Sequence, residues 1–174
     1  MIAFVGLPGS GKTTVGKQVA TKLSLPFIDT DWQLELKLGC SIRSYFDEYG
    51  ESSFRALESA LIDELTLGGD AVLSTGGGAI LSDVNRGFLR ERTKVIYLHS
   101  LPDEVFKRLR YDRTRPLLQV PDPLARIHEL YLQRDSLYRD IASVVIETGK
   151  PPVASLVAEI LTRLNAGHGL HCIK

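Results

Sequence analysis

The sequence is poor in the features that mark secreted, membrane and nucleic-acid-binding proteins. Its two cysteines, Cys40 and Cys172, are far apart and outside any C-x-x-C spacing, so we expect no disulfide framework and a cytoplasmic location. No apolar run approaches the roughly 20 residues that a membrane span needs. Acidic and basic residues balance at 21 each, which gives no reason to expect a nucleic acid or membrane partner.

The start of the chain also lacks the marks of a targeting segment. Residues 1–6 have no basic n-region, and their apolar side chains are needed for a buried strand, so we expect no signal peptide. The chain has 174 residues, of which 44% are hydrophobic and 24% charged, as is typical of one globular domain. We therefore expect a single domain over residues 1–174.

A glycine-rich segment near the N-terminus carries the strongest functional signal. Residues Gly6 to Thr13 fit G-x-x-x-x-G-K-[ST] and lie between an apolar strand and a helical pattern. Glycines let successive N–H groups turn around an anion, and the helix N-terminus adds partial positive charge. Lys12 is expected to reach the β- and γ-phosphates and the Thr13 hydroxyl to ligate Mg²⁺, so a nucleoside triphosphate is the expected ligand.

Two carboxylates follow the second expected strand. If that strand continues to Asp31, period-two geometry puts Asp29 and Asp31 on one side, at the sheet edge where the phosphate loop lies. One carboxylate would then serve the Mg²⁺ shell and the other would accept a substrate hydroxyl proton. The alternative is that one of them caps the helix beginning near Trp32. Proximity to a phosphate loop favours the chemical interpretation.

A long helical segment separates the second strand from the third. It exceeds what a crossover requires, so about residues 30–67 are expected to form a small subdomain over the site. Phe54 lies on the apolar face of this segment, and Arg55 lies beside that face. Arg55 is either a surface arginine paired with Glu51 or Glu58, or a planar fork for an anionic substrate group. The spacing leaves both interpretations open.

Three glycines directly follow the third expected strand, which runs from Ala71 to Thr75. Gly76, Gly77 and Gly78 favour close approach of a ligand to the backbone over a merely flexible turn. The fourth strand is expected from Lys94 to His99, and we interpret His99 as a packed or capping residue rather than a catalytic one.

A basic segment follows the helix that is expected to begin at Pro102. Four arginines lie between Arg108 and Arg115, next to several prolines. A nucleic-acid site and a solvated charge run are the alternatives, but without interleaved aromatics or net positive charge we favour a lid over a triphosphate at about residues 110–120. The tail, residues 166–174, is expected to be flexible. Its three potential ligands, His168, His171 and Cys172, are fewer than the four of a usual structural zinc site.

Taken together, these motifs closely resemble those of the shikimate kinases, small members of the P-loop nucleoside monophosphate kinase-like group. The resemblance covers Ile2 to about Leu164. The most specific motifs, all in family order and spacing, are Asp29-Thr-Asp31, Gly50-Glu51-x-x-Phe54-Arg55-x-x-Glu58, Gly76-Gly77-Gly78, Arg115-Pro-Leu-Leu and Arg134-x-x-x-Tyr138.

The resemblance implies an α/β fold of three αβα layers, with a five-stranded parallel sheet in order 2-3-1-4-5. It further implies Mg²⁺-dependent transfer of the ATP γ-phosphoryl group to the 3-hydroxyl of shikimate, in aromatic amino acid biosynthesis. We expect a monomer that uses ATP, Mg²⁺ and shikimate. Two alternatives stay open: another small-molecule P-loop kinase, of the gluconate or nucleotide type, and a nucleotide-dependent switch without acceptor chemistry.

The resemblance also assigns roles to individual residues. The implied ATP-binding residues are Gly9, Ser10, Gly11, Lys12, Thr13, Thr14, Arg108 and Arg115, with Arg108 against adenine and Arg115 brought onto the phosphates by the lid. The implied acceptor-binding residues are Asp31, Phe46, Phe54, Arg55, Gly77, Gly78 and Arg134, with Arg55 and Arg134 on the carboxylate. Lys12, Asp31 and Arg115 are the implied catalytic residues, Asp31 taking the proton. Thr13 and Asp29 are implied at the metal, Asp29 through water.

Overall fold

The sheet of this protein places the phosphate loop at its centre. In the computed structural model, which describes residues 1–110, 120–149 and 151–166, the strands are β1 (Ile2–Val5), β2 (Phe27–Asp29), β3 (Val72–Ser74), β4 (Lys94–His99) and β5 (Val144–Glu147). They form one sheet in the order β2-β3-β1-β4-β5, which confirms the order implied by the family resemblance. All neighbours pair in parallel, and β1 lies between β3 and β4. The loop after β1 therefore leaves the middle of the sheet's carboxyl edge.

Helices cover both faces of this sheet. In the described ranges they are α1 (Lys12–Leu23), α2 (Thr30–Leu38), α3 (Ile42–Thr66), α4 (Asp83–Arg92), α5 (Pro102–Leu109), α6 (Pro123–Ile141) and α7 (Val153–Ala166), with a short 3-10 helix at Ala79–Leu81. Alternate residues of β1 enter different cores. Phe4 packs in the cluster formed with α1 and α7, whereas Ala3 and Val5 belong to the cluster formed with α3 to α6. The predicted three-layer α/β fold is thus confirmed.

The region between β2 and α2 differs from the sequence prediction. Strand β2 ends at Asp29, and Asp31 already lies in the first turn of α2, so the two carboxylates are not related by strand periodicity. Asp29 is instead the N-cap of α2. Its Oδ1 accepts hydrogen bonds from the backbone N–H groups of Asp31 at 3.2 Å and Trp32 at 3.4 Å. These residues form the start of α2 because the Asp29 carboxylate accepts hydrogen bonds from N–H groups of the first helical turn, which have no partner within the helix.

Helices α2 and α3 occupy the segment expected to form a subdomain. The turn between them is closed by Gly39, with φ of 68°, and Ser41 caps α3 through the N–H of Ser44. Gly50 interrupts α3 at φ 80° and ψ 160°, a backbone conformation that side chains with a Cβ rarely adopt. A separate small core holds the two helices together and consists of Leu34, Phe54 and Leu61.

Some predictions fall on residues outside the described ranges. The lid prediction rests mainly on residues 111–119, which include Arg115, and the tail prediction on residues 167–174. Both stay predictions. None of the helices in the described ranges has the length and apolarity needed to cross a membrane.

Candidate active site

The phosphate loop, residues 6–11, leads from β1 into α1. Gly9 and Gly11 have φ of 83° and 98°, so the loop depends on glycine at both positions. A Cβ on Gly9 would also lie only 2.9 Å from Leu109 Cγ. Within this loop the hydroxyl of Ser10 is buried and has no hydrogen-bond partner among the residues that the structure describes. Leaving a buried hydroxyl without a hydrogen bond costs about 1–3 kcal/mol of stability. A bound anion that accepts a hydrogen bond from this hydroxyl would offset that cost.

Lys12, the first residue of α1, keeps a buried cation inside the phosphate loop. The side chain is 8% exposed. Its Nζ donates to the backbone oxygens of Gly6 and Leu7, each at 2.9 Å. The ammonium group therefore lies beside the loop backbone, at the N-terminus of α1, where phosphate oxygens would bind. Thr13 and Thr14 follow in the first turn of α1, and both are exposed.

A hydroxyl and a carboxylate meet next to the phosphate loop. Thr13 Oγ1 donates to Asp29 Oδ2 at 2.9 Å. These are oxygen donors of the kind that Mg²⁺ prefers, and Mg²⁺ is commonly held by one or two protein groups together with substrate phosphates. No group of three or more metal-ligating residues exists among the residues that the structure describes. The pair therefore fits a Mg²⁺ ion held jointly with a nucleotide.

Asp31 places a partly buried carboxyl group between the phosphate loop and the glycine segment formed by Gly76, Gly77 and Gly78. A Cβ on Gly76 would lie 2.5 Å from Asp31 Oδ1, so the backbone runs directly against the carboxylate. Burial, and next the neighbouring Asp29 carboxylate, raise the pKa of Asp31 above its ordinary value, although Lys12 acts in the opposite direction. A carboxylate with a raised pKa is a stronger base, which suits acceptance of a hydroxyl proton.

Arg55 lies against the glycine segment and is held there by two glutamates. A Cβ on Gly78 would be 2.7 Å from Arg55 Cζ. The guanidinium Nη1 donates to Glu58 Oε2 at 2.7 Å, and Nη2 donates to Glu51 Oε1 at 2.8 Å. Arg55 is therefore ion-paired, as one sequence interpretation expected, and it also lies against the glycine segment. Its binding of an anionic substrate group stays a prediction.

Glu58 is a buried polar residue to which the sequence analysis gave no role beyond pairing. Its side chain is 1% exposed, and its Oε1 has no hydrogen-bond partner within the described ranges. Burial raises the pKa of Glu58 even though the Arg55 guanidinium favours the ionised form. The family motif from Gly50 to Glu58 contained this residue, but only the fold reveals that it lies beneath Arg55.

Helix α6 brings Arg134 and Tyr138 to the other side of the glycine segment. Arg134 Nη1 donates to the Gly77 oxygen at 2.9 Å, and the Tyr138 hydroxyl donates to the same oxygen at 2.7 Å. Arg134 Nε is buried and has no hydrogen-bond partner in the described part of the chain. Arg134 is thus not simply on the polar side of its helix. The sequence alone assigns no role to Tyr138, although its spacing of four residues from Arg134 places both on one helix face.

The predicted aromatic residues lie beside Arg55. The rings of Phe46 and Phe54 meet edge to face with centroids 4.8 Å apart, and Arg55 Cζ lies 6.0 and 5.5 Å from their respective centroids. Phe54 is only 2% exposed. It is mainly a core residue, and Phe46 offers the more accessible ring.

Arg108 connects the phosphate loop to the segment after β5. Its Nη2 donates to the Thr148 oxygen at 2.6 Å, and its Nη1 lies 3.4 Å from the Gly9 oxygen. The predicted adenine-side arginine therefore lies at the edge of the phosphate loop, where a nucleotide base would follow its phosphates.

One cavity of about 550 Å³ runs along the phosphate loop as far as Asp31 and Gly77. Its lining includes the phosphate loop, Asp29, Asp31, Gly77 and Arg108. This lining does not include Gly78 or the residues around it, which are Phe46, Phe54, Arg55 and Arg134. They adjoin it through the contacts described above. The predicted site residues in the described ranges are thus adjacent, whereas Arg115 lies outside those ranges.

The fold and the site together define a P-loop kinase, with a phosphate loop at one end and two arginines around a glycine segment at the other. The family model "Shikimate kinase" matches residues 8–165. Shikimate kinases from Ralstonia nicotianae and Paracidovorax citrulli are each 51% identical over 94% of this chain and over 86% and 91% of their own lengths. Shikimate kinase from Acinetobacter baumannii, solved in complex with shikimate, is 40% identical with a TM-score of 0.90, and the match covers 97% of this chain and 94% of that one. The chain belongs to the shikimate kinase family, which confirms the resemblance found in the sequence.

Proposed function

We propose that the protein transfers the γ-phosphoryl group of ATP to the 3-hydroxyl of shikimate, with Mg²⁺ on the phosphates. The observation that carries this proposal is the position of two arginines on one backbone segment, Arg134 at Gly77 and Arg55 at Gly78. Planar guanidinium groups bind carboxylates with two parallel hydrogen bonds, so this pair suits the acceptor's carboxylate. Membership of the family supports shikimate as the acceptor.

The protein contributes mainly position and charge to this reaction, because the transition state of phosphoryl transfer is loose. The loop from Gly9 to Thr14 holds the phosphates, and Lys12 offsets the negative charge that develops as the bond breaks. The acceptor oxygen forms a bond to the γ-phosphorus while the bond from that phosphorus to the bridging oxygen of ADP breaks. Asp31 takes the hydroxyl proton. Arg115, outside the described residues, is proposed to reach the phosphates with the lid.

Thr13 and Asp29 are the residues that would hold Mg²⁺, Asp29 through a water molecule. The ion neutralises phosphate charge when it binds with ATP. Asp29 is fixed for this task by its other oxygen, which caps α2. The cap and the hydrogen bond from Thr13 thus orient the metal-binding oxygen before any ligand arrives.

The acceptor end is proposed to be built by α2 and α3 as a substrate-binding subdomain. Glu58 lies buried beneath Arg55 and orients its guanidinium, while Phe46 and Phe54 wall the pocket. We further propose that the enzyme works as a monomer without nucleic acid, since all of these roles come from one chain. A cytoplasmic location agrees with the use of ATP.

A panel of acceptors tests the proposed function. ADP formation should require shikimate, and neither gluconate nor a nucleoside monophosphate should replace it. Arg55→Lys should raise the KM for shikimate about tenfold or more, because lysine cannot form the planar double contact, and should leave the KM for ATP within about twofold.

Arg163→Lys is a matched control for this variant. Arg163 lies on α7 and pairs with Glu159 four residues away, as Arg55 pairs with Glu51, but it is remote from the site. This variant should match the unmodified protein. ADP formation that is equal with and without shikimate, or faster with gluconate, would contradict the proposal.

A further inference from the structure

Two donors from α6 converge on one backbone oxygen at the acceptor end of the site. The Tyr138 hydroxyl donates to the Gly77 oxygen at 2.7 Å, and Arg134 Nη1 donates to it at 2.9 Å. Arg134 has a proposed partner in the acceptor carboxylate. The Tyr138 hydroxyl has no part in the chemistry described so far, yet its side chain is 1% exposed and directed at the glycine segment.

The carbonyl group that Tyr138 holds belongs to the same peptide unit as the N–H of Gly78. The unit is planar and trans, so its C=O and N–H point in opposite directions. Fixing the Gly77 carbonyl toward α6 therefore turns the Gly78 N–H away from α6. Within the described part of the chain this N–H donates to no protein group. A backbone donor is thus oriented away from α6 and left available on the side of the glycine segment where Arg55 lies.

The surroundings restrict both the peptide unit and the tyrosine ring. A Cβ on Gly77 would lie 2.8 Å from Pro8 Cδ, so this segment is packed between the phosphate loop and α6. The Tyr138 ring stacks on Tyr97 with centroids 5.0 Å apart. Hydrogen bonds accepted by a carbonyl polarise the peptide and strengthen its N–H as a donor, by about 10–30% per bond. Two bonds on the Gly77 oxygen act on the Gly78 N–H in this way.

We propose that Tyr138 is a positioning residue for the acceptor. Its hydroxyl fixes the Gly77 carbonyl so that the Gly78 N–H donates to the carboxylate held between Arg55 and Arg134. It also keeps the carbonyl hydrogen-bonded when Arg134 turns toward that carboxylate. This inference rests on the proposed function and adds the residue that orients its backbone donor.

Tyr138→Phe removes the hydroxyl and keeps the stacked ring. We expect the KM for shikimate to rise about 3- to 10-fold, which corresponds to about 0.7–1.4 kcal/mol at about 1.4 kcal/mol per tenfold and is the usual net worth of one hydrogen bond. The KM for ATP should stay within about twofold, because Tyr138 has no contact with the phosphate loop's donors. A general loss of stability would not raise the KM for shikimate while leaving the KM for ATP unchanged.

Tyr97→Phe is the matched control. Tyr97 is also 1% exposed, stacks on Tyr138, and donates its hydroxyl to Asp135 at 2.8 Å instead of to the glycine segment. The same chemical change at this neighbouring ring should leave both KM values unchanged. An equal rise of the shikimate KM in both variants would overturn the proposal.

The amide resonance of Gly78 gives a direct second measurement. Titration with shikimate should move its proton downfield in the unmodified protein and in Tyr97→Phe, and clearly less in Tyr138→Phe. Equal shifts in all three proteins, or a shikimate KM for Tyr138→Phe within about twofold of normal, would overturn the proposal. The unmodified protein is assayed first: a failure to form ADP with shikimate refutes the proposed function itself, and is thereby distinguished from a failure confined to Tyr138.

Discussion

Replacing Gly78 by alanine should damage the acceptor site through one contact. The added methyl group would lie 2.7 Å from both Cζ and Nη1 of Arg55. The backbone at Gly78 has φ of −92° and ψ of −12°, which alanine adopts without strain. The effect therefore comes from the guanidinium group and not from the chain conformation.

The size of the effect follows from how far Arg55 must move. Non-bonded heavy atoms settle at about 3.5 Å, and Nη2 of Arg55 would lie even closer to the added methyl group than these two atoms, so the guanidinium must retreat by roughly 1 Å. Arg55 is held at 2.7 Å by Glu58 and at 2.8 Å by Glu51, and these bonds resist the shift. A displaced donor loses a charge-assisted hydrogen bond worth about 1.5–3 kcal/mol, or about 10- to 150-fold in kcat/KM. A misplacement of about 1 Å at a reacting substrate is known to cost about 100-fold.

Initial rates at saturating ATP and Mg²⁺ measure this effect. For Gly78→Ala we expect kcat/KM for shikimate to fall about 10- to 100-fold, with the KM for ATP within about twofold and the melting temperature near normal. Gly87→Ala is the control: Gly87 lies in α4 and an added Cβ meets nothing within 4 Å. A kcat/KM for shikimate that is the same in both variants would refute the role given to Arg55 at Gly78.

Two further sets of variants test the phosphate end and the base. Lys12→Ala should lower turnover by about 100-fold or more while the protein stays folded, although the backbone oxygens of Gly6 and Leu7 lose their buried donor; near-normal turnover would contradict the role of Lys12. Asp31→Asn should lower turnover by about 10²–10⁴ without repair by excess Mg²⁺, whereas Asp29→Asn should chiefly raise the Mg²⁺ requirement. Because the folded-state pKa of Asp31 is raised, its stabilising contribution is present at low pH and is lost as the pH rises through that pKa. Asp31→Asn should therefore raise the melting temperature at pH 7, relative to the unmodified protein, by more than it does at about pH 3; a difference independent of pH would contradict this.

Much of the fold could be predicted from local sequence patterns, because a strand, a turn or a helix is determined largely by residues that are close together in the chain. The phosphate loop is one such pattern, with its strand, glycines and helix all within residues 2–23. His99 was correctly interpreted as packed: it is 5% exposed, with Nδ1 2.5 Å from Glu147 Oε2. The sheet order came from the family resemblance, since no local pattern specifies which strands pair.

The sequence could not choose between alternatives that are compatible within one side chain. Asp29 was treated as either a cap or a metal residue, but Oδ1 caps α2 and this leaves Oδ2 beside Thr13, at the proposed metal site. Arg55 likewise is ion-paired and also faces the glycine segment. Tyr138 was missed for another reason. Its partner Gly77 is 61 residues away along the chain, and only the packing of α6 on the glycine segment joins them.

Product analysis by phosphorus NMR shows directly whether the γ-phosphoryl group passes to an acceptor held by its carboxylate. After incubation with ATP, Mg²⁺ and shikimate, we predict ADP and one new phosphomonoester in equal amounts, with the phosphate on the 3-hydroxyl. Inorganic phosphate in place of the ester would show that water is the acceptor. An ester on another hydroxyl would contradict the placement of Asp31. Either result would refute the proposed arrangement of the site.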